Sequence, residues 1–235
     1  MRLFVMHGGR LVDSSPMYGT AETVVGTLCV DLGISDQQFF ATKVWTSGRE
    51  AGMQQMVESM RRLRTDQIDL MQVHNLVDTR THLKTLKDWK EQGRVRYVGV
   101  THYLVDAYDD LMRVIKHEDI DFVQFNYNIL TRAAEQRLLP LCAERGVAVI
   151  VNERFENTAL FALTGGHELP PWAAEFDCRS WAQFFLKFIV SHLAVTCAIP
   201  ATSDPGHVVD NMQAAYGRLP DQATRERMAA YVSDL

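Results

Sequence analysis

Four residues whose side chains could together transfer a proton lie at regular intervals in the first third of the chain. Three apolar, strand-like runs end in Asp13, Lys43 and His74, with about 30 positions between one and the next. Repeated strand–helix units produce such spacing, and polar residues at the carboxyl ends of parallel strands meet at one rim of a barrel. Tyr18 follows Asp13 closely, after a turn that contains Pro16. The set predicts a proton-transfer site.

The four side chains complement one another chemically. A tyrosine is a weak acid with an ordinary pKa of about 10, and a neighbouring ammonium lowers that pKa because it stabilises the tyrosinate. Lys43 would provide the ammonium for Tyr18, and the carboxylate of Asp13 would keep it charged. His74 would orient a substrate carbonyl or share the proton. Such an acid suits carbonyl reduction, in which oxygen receives a proton while carbon receives a hydride from a cofactor.

Each of these residues has a simpler explanation when it is taken alone. Asp13 could start a turn, and Lys43 could be a surface lysine whose aliphatic stem is buried. His74 could be a hydrogen-bonded core histidine, and Tyr18 alone carries no information. Their joint occurrence at the ends of successive strands favours the catalytic interpretation.

Alternating strand and helix patterns predict an α/β fold with a parallel sheet. The strand candidates are nearly continuous apolar runs, as expected when both faces of a sheet are covered: Arg10–Asp13, Gln38–Lys43, Ile68–His74, Val95–Val100, Asp121–Phe125, Val147–Asn152 and Val195–Ile199. The helix candidates between them are Thr20–Leu32, Glu50–Leu63, Thr81–Glu91, Asp106–Lys116, Arg132–Arg145 and Ser180–Leu193. The segment from Glu153 to Asp177 breaks this alternation and is predicted as a long loop over one rim.

Length and composition limit the classes of protein. The 235 residues, 1–235, fit one barrel domain, since α/β barrels often have about 200–250 residues. The net charge of −5 and the lack of a long basic run argue against a nucleic-acid-binding surface. Four dispersed cysteines without a CxxC pair argue against a metal site or a redox dithiol and fit a reducing, cytoplasmic compartment. No apolar stretch approaches the ~18 residues of a membrane span, and we expect no secretory signal.

Several motifs resemble those of the aldo/keto reductases. The segment from Asp13 to Gly19, with Ala21-Glu22 after it, resembles the first signature of that family. Ala41-Thr42-Lys43 is similar to its lysine strand, and the segment from Asp69 to Asn75 to its histidine strand. Three later segments resemble the family in the same order: Gly93–Tyr103, Val123–Asn128 and Ile199–Asn211. The resemblance covers nearly the whole chain.

The resemblance implies a (β/α)8 TIM barrel and NAD(P)H-linked reduction of small aldehydes or ketones. By position, Tyr18 would be the proton donor, Lys43 and Asp13 would tune it, and His74 would orient the carbonyl. The residues that match the site of the nicotinamide carboxamide are Thr101, His102 and Gln124. Asn152 stands where many members place an aromatic ring against the nicotinamide. With Arg154 and Phe155, but without the proline, it resembles a subgroup with an Asn and an Arg-Pro-Phe run.

The cofactor loop departs from the family pattern. Ala201 stands in place of a lysine, and His207 in place of an arginine, that many members use for the 2′-phosphate of NADP. Basic side chains hold phosphates by charge-assisted hydrogen bonds, so their replacement weakens the case for NADP(H) over NAD(H). NADP(H) stays the favoured cofactor. Thr202 and Ser203 could donate to the phosphate, or belong to an ordinary helix-capping turn. Asn211 completes the candidate cofactor-binding set.

The front of the chain also departs from the family, whose members carry a hairpin and a first strand ahead of the position where Met1 stands. We therefore expect about seven strands with two open edges, which would allow self-association, and we hypothesise an N-terminally short member with impaired activity. One alternative is a non-catalytic, nucleotide-binding barrel or regulatory subunit. Another is an unrelated barrel isomerase or aldolase that uses Lys43 as a Schiff-base lysine.

Overall fold

The computed structural model describes residues 1–235 apart from the side chain of Asn157. Seven strands form one parallel sheet in chain order. They are β1 Leu11–Asp13, β2 Phe39–Val44, β3 Ile68–His74, β4 Val95–His102, β5 Phe122–Asn126, β6 Ala148–Asn152 and β7 Cys197–Ala198. The sheet is curled, and the predicted fold class, a (β/α)8 barrel with seven strands in this chain, is confirmed. β1 and β7 are its edge strands, and self-association through these edges stays a prediction.

Ten α-helices accompany the strands within the described part of the chain. They are α1 Arg2–Met6, α2 Ala21–Asp31, α3 Arg49–Leu63, α4 Thr79–Glu91, α5 Tyr108–His117, α6 Leu138–Arg145, α7 Ala159–Thr164, α8 Trp181–Val190, α9 Pro205–Gln213 and α10 Gln222–Ser233. Glycines with a positive φ follow α2, α4 and α6, at Gly33, Gly93 and Gly146, where a left-handed residue ends a helix. No helix of this part is both long enough and apolar enough to span a bilayer.

The alternation of side chains along each strand separates two apolar clusters. The smaller cluster fills the concave side of the sheet around Ala41, Leu70 and Ile150. The larger cluster lies between the sheet and the helices and includes Val73 and Val100. Strands that are covered on both sides in this way need apolar residues at nearly every position, which is the pattern in the sequence.

Two predicted segments differ from the structure. The helix predicted over Arg132–Arg145 begins instead as a 3-10 turn, Ala133–Glu135, and α6 starts only at Leu138. Pro140 explains the difference, because proline is tolerated in the first turn of a helix and breaks its interior. The segment from Glu153 to Asp177, predicted as a loop, contains α7 and the 3-10 helices Glu156–Thr158 and Pro171–Phe176.

Two helices near the C-terminus were not predicted. Aspartates cap both, since Asp204 accepts hydrogen bonds from the first turn of α9 and Asp221 accepts one from Thr224 N in α10. Pro205 stands at the first position of α9, where its fixed φ suits a helix start. These capping signals are present in the sequence, and they position the loop that precedes α9 at the barrel rim.

Candidate active site

A buried ion pair lies at the carboxyl ends of β1 and β2. Lys43 Nζ donates to Asp13 Oδ2 and to the carbonyl oxygen of Ser14, both at 2.6 Å. The side chains of Lys43 and Asp13 are only 1% and 5% exposed. Gln72, the register partner of Lys43 on β3, donates through Nε2 to Asp13 Oδ1 at 3.3 Å. The ammonium is therefore held in one place between fixed oxygen atoms.

Tyr18 lies above this pair, in the turn that follows β1. Lys43 Nζ is 5.1 Å from the centroid of the Tyr18 ring. The same ring meets His74 edge to face, with 6.3 Å between the ring centroids. Tyr18 is 49% exposed, so that its ring is open to an incoming molecule, while Lys43 is buried and His74 is half-buried below it. The four residues singled out in the sequence thus lie together, and their catalytic roles stay predictions.

His74 is held as a neutral imidazole. Burial, and then the positive charges of Lys43 and His102, lower its pKa to about 4. Ser15 Oγ lies 3.4 Å from His74 Nδ1 and accepts a hydrogen bond from the backbone N–H of Met17. Because that N–H uses one lone pair of Ser15 Oγ, the hydroxyl proton can point to Nδ1. When Nδ1 accepts from Ser15 in this way, a neutral imidazole carries its own proton on Nε2.

The residues expected at the nicotinamide end continue around the same rim. Thr101, on β4, is the register partner of both His74 and Gln124. Among the described residues, Gln124 Oε1 and Asn152 Oδ1 are buried without a hydrogen-bond partner. Two buried acceptors on neighbouring strands β5 and β6 fit a ligand that presents N–H donors, such as a carboxamide. His102 accepts from the backbone N–H of Leu104 and stacks on Tyr103.

A cleft of about 700 Å³ continues from the ends of β6 and β7. Its walls are the segment after β6, the first turn of α8, and the loop that leads into α9. It is lined by Glu153, Arg154, Phe155, Thr158, Phe161, Ser180, Trp181, Ala182, Ala201, Thr202, His207, Asp210 and Asn211. The four predicted catalytic residues lie outside this lining, farther around the rim.

Three of the four residues predicted in the cofactor loop, Thr202, His207 and Asn211, line this cleft, whereas Ser203 is exposed and outside the lining. The loop is a capping turn. Asp204 Oδ1 accepts from the backbone N–H groups of Gly206 and His207, and Thr202 Oγ1 accepts from Asp204 N. The carboxylate of Asp204 therefore already accepts from two backbone amides of the first turn of α9.

Two functional candidates were missed in the sequence, although a signal for one of them exists. Gln72 lies two positions after Leu70 and two before His74, so that strand alternation places all three on the concave side. A buried glutamine at that position predicts a polar contact with a neighbouring strand. Ser15 has no such signal, because its contact with His74 depends on the path of the turn.

Known proteins share sequence similarity with this chain. A sequence profile of the Aldo/keto reductase family matches residues 1–230. Aldo-keto reductase YhdN of Bacillus subtilis is 29% identical over 166 residues, which are 64% of this chain and 49% of that protein. Methylglyoxal reductase YeaE of Escherichia coli is 25% identical over 228 residues, which are 90% of this chain and 76% of that protein.

The fold has solved relatives as well. An aldo/keto reductase of Klebsiella pneumoniae, solved in complex with NADP and acetate, superposes with a TM-score of 0.80 at 22% identity, over 98% of this chain and 83% of that one. The chain spans about half the length of the Bacillus relative. The family profile nevertheless covers almost every residue of the chain. The chain therefore belongs to the aldo/keto reductase family.

Proposed function

We propose that this protein is an NAD(P)H-dependent reductase of small aldehydes or ketones. The observation that carries the proposal is the buried Lys43–Asp13 pair beneath the Tyr18 ring, beside a neutral His74. Membership of the family and the names of its relatives, an aldo-keto reductase and a methylglyoxal reductase, support the same reaction class.

In this proposal the side chains divide the work at the carbonyl oxygen. Tyr18 gives the proton to that oxygen, and the charge of Lys43 favours the tyrosinate that remains. Asp13 keeps the ammonium charged and in place. His74 donates its Nε2 proton as a hydrogen bond to the carbonyl oxygen, which orients the carbonyl and stabilises the negative charge that develops there.

The buried acceptors of Gln124 and Asn152 support a dinucleotide whose nicotinamide end lies on β5 and β6. When bound, a reduced nicotinamide dinucleotide supplies the hydride. Thr101, His102, Gln124 and Asn152 would hold its carboxamide end. NADP(H) is favoured because the Klebsiella relative binds NADP, with NAD(H) as the second candidate.

The cleft beyond β6 would hold the other half of the dinucleotide. Thr202, His207 and Asn211 line it and present hydroxyl, imidazole and amide groups that suit a phosphorylated ribose and a base. The exposed rings of Tyr18 and Trp45 border the open side of the rim near His74. In this proposal a small carbonyl compound binds beside them.

The test compares wild type with Tyr18→Phe. NADPH and NADH binding is followed by fluorescence quenching, and turnover is measured with a generic aromatic aldehyde. We expect Tyr18→Phe to keep dinucleotide binding and to lose about 10²- to 10⁴-fold in reduction rate, the range for a positioned general acid.

Tyr216→Phe is the matched control, because Tyr216 is also 49% exposed but bonds to the carbonyl of His7, away from the rim. Its reduction rate should equal that of wild type. Equal turnover in wild type and Tyr18→Phe would remove the proposed acid. Wild-type binding without turnover would instead favour the non-catalytic, nucleotide-binding alternative.

A further inference from the structure

Arg154 is an unusual cation in the cleft beyond β6. Its Nε is buried without a hydrogen-bond partner among the described residues. Its Nη2 donates to the carbonyl oxygen of Ala201 at 3.2 Å, and none of the ion pairs found among the described residues includes Arg154. The guanidinium lies over the ring of Phe155, 5.4 Å from its centroid. This half-buried guanidinium lines the cleft, and its Nη1 makes no hydrogen bond to the described residues.

A buried guanidinium N–H without an acceptor destabilises the protein unless a ligand supplies the acceptor. Arginine stays charged in proteins, and a buried N–H group without an acceptor loses its bonds to water without replacement. Burial also lowers the pKa of the Arg154 guanidinium, because it disfavours the charged form. Unsatisfied buried polar groups are uncommon in native structures.

The backbone around Arg154 is held in an uncommon conformation. Glu153, Glu156 and Thr158 have positive φ values of 47°, 46° and 80°, and left-handed conformations of non-glycine residues persist only where neighbours enforce them. Asn128 enforces this one, because its Nδ2 donates to the carbonyl oxygen of Glu153 at 3.0 Å and to Glu156 Oε1 at 2.8 Å. The segment that carries Arg154 is therefore fixed before any ligand arrives.

The rest of the lining leaves Arg154 free to bind an anion. Asp210 is already engaged, since its carboxylate accepts from Ser180 Oγ at 2.7 Å and from Gln183 Nε2 at 2.6 Å. Glu153 also lines the cleft, so an anion must compete with its carboxylate for Arg154. Thr202 and His207, on the opposite wall, add a hydroxyl and an imidazole.

We infer that Arg154 binds a phosphate group of the dinucleotide, and so provides from the segment after β6 the cation that Ala201 and His207 do not provide from the loop before α9. The inference rests on the proposed function. A guanidinium and a phosphate form short, charge-assisted hydrogen bonds, often in pairs. The phosphate is either the pyrophosphate, which NADH and NADPH share, or the 2′-phosphate of NADPH.

The test titrates wild type, Arg154→Gln, Arg154→Lys and Glu153→Gln with NADPH and with NADH at low and high salt. We expect Arg154→Gln to raise the Kd for NADPH about ten-fold or more and to flatten its salt dependence. Arg154→Lys should recover part of the loss because the charge remains, and Glu153→Gln should tighten binding. The control is Arg179→Gln, an exposed arginine beside Ser180 that does not line the cleft, with wild-type Kd values.

The two dinucleotides identify the phosphate. A larger loss for NADPH than for NADH assigns Arg154 to the 2′-phosphate, and equal losses assign it to the pyrophosphate. If Arg154→Gln binds both as tightly as Arg179→Gln does, the inference is wrong while the proposed function stands. If wild type binds neither dinucleotide, the proposed function itself fails.

Stability gives an independent readout. Arg154→Gln should melt at the wild-type temperature or above it, because the substitution removes a buried charge that has no ionic partner. A lower melting temperature with unchanged Kd values would make Arg154 a structural residue and overturn the inference.

Discussion

Replacing Asp13 with asparagine tests the central ion pair most directly. Asp13→Asn keeps the size of the side chain but removes the negative charge 2.6 Å from Lys43 Nζ. The ammonium then stays nearly fully buried, with the carbonyl oxygen of Ser14 and the new amide oxygen as neutral acceptors. The variant leaves a buried cation without a counter-charge.

The expected cost follows from that burial. Removing one partner of a buried ion pair costs about 3–5 kcal/mol. Because two acceptors remain for Lys43, we expect the lower end, about 3 kcal/mol of unfolding free energy. In a chain of this size, 1 kcal/mol corresponds to about 2–4 °C, so the melting temperature should fall by about 6–12 °C.

The assay is urea unfolding followed by tryptophan fluorescence, with thermal melts in parallel. The double variant Asp13→Asn/Lys43→Met removes both charges and should be more stable than Asp13→Asn alone, with a coupling energy of at least about 1 kcal/mol. The control is Glu118→Gln, which breaks the 2.8 Å pair of Lys87 and Glu118, whose side chains are 39% and 38% exposed. That change should cost less than about 1 kcal/mol.

Two results would refute the reasoning. If Asp13→Asn and Glu118→Gln lose the same small free energy, burial of the pair with Lys43 does not matter. If the double variant loses the sum of the free energies lost by Asp13→Asn alone and by Lys43→Met alone, Asp13 and Lys43 are not coupled, and the carboxylate does not hold the ammonium in place.

Two further predictions concern His74 and the contact between α2 and α3. The pKa of His74 is about 4 in the folded protein, against an ordinary value of 6.5, so the unfolded chain binds more protons between these values and stability should fall as the pH drops from about 6.5 to about 4. Urea unfolding at pH 7, 5.5 and 4.5 should show a weaker pH dependence of the unfolding free energy in His74→Gln than in wild type. In the control His167→Gln, which replaces an exposed histidine, the pH dependence should match that of wild type. Identical pH dependence in all three proteins would contradict the prediction. A Cβ added at Gly26 would lie 2.3 Å from the carbonyl oxygen of Arg62, so Gly26→Ala must separate the two helices and should cost about 1–3 kcal/mol in the same urea assay. Gly19→Ala adds a Cβ in open space, and because Gly19 has a φ of 59°, its loss reports a left-handed backbone without any steric clash.

Much of the barrel was predictable because local signals and the global fold agree. β3 has the predicted bounds, Ile68–His74, and the glycine that follows α2 stands where the helix ends. Such agreement is expected where the strand pattern depends on burial on both faces. β7 was predicted as Val195–Ile199 but pairs only over Cys197–Ala198, because it has a single neighbour, β6, and few ladder bonds extend it.

The sequence by itself determined which residues end the strands, and therefore that Asp13, Lys43 and His74 share a rim, because parallel strands place their carboxyl ends together. Only the tertiary structure decided what those residues contact. The approach of Ser15 to His74 depends on the path of one turn, and the guanidinium of Arg154, whose Nε has no partner, depends on a strained segment held by Asn128 in the loop after β5. Neither contact leaves a periodic pattern in the sequence, because contacts between loops arise from long-range packing and not from the repeat of a helix or a strand.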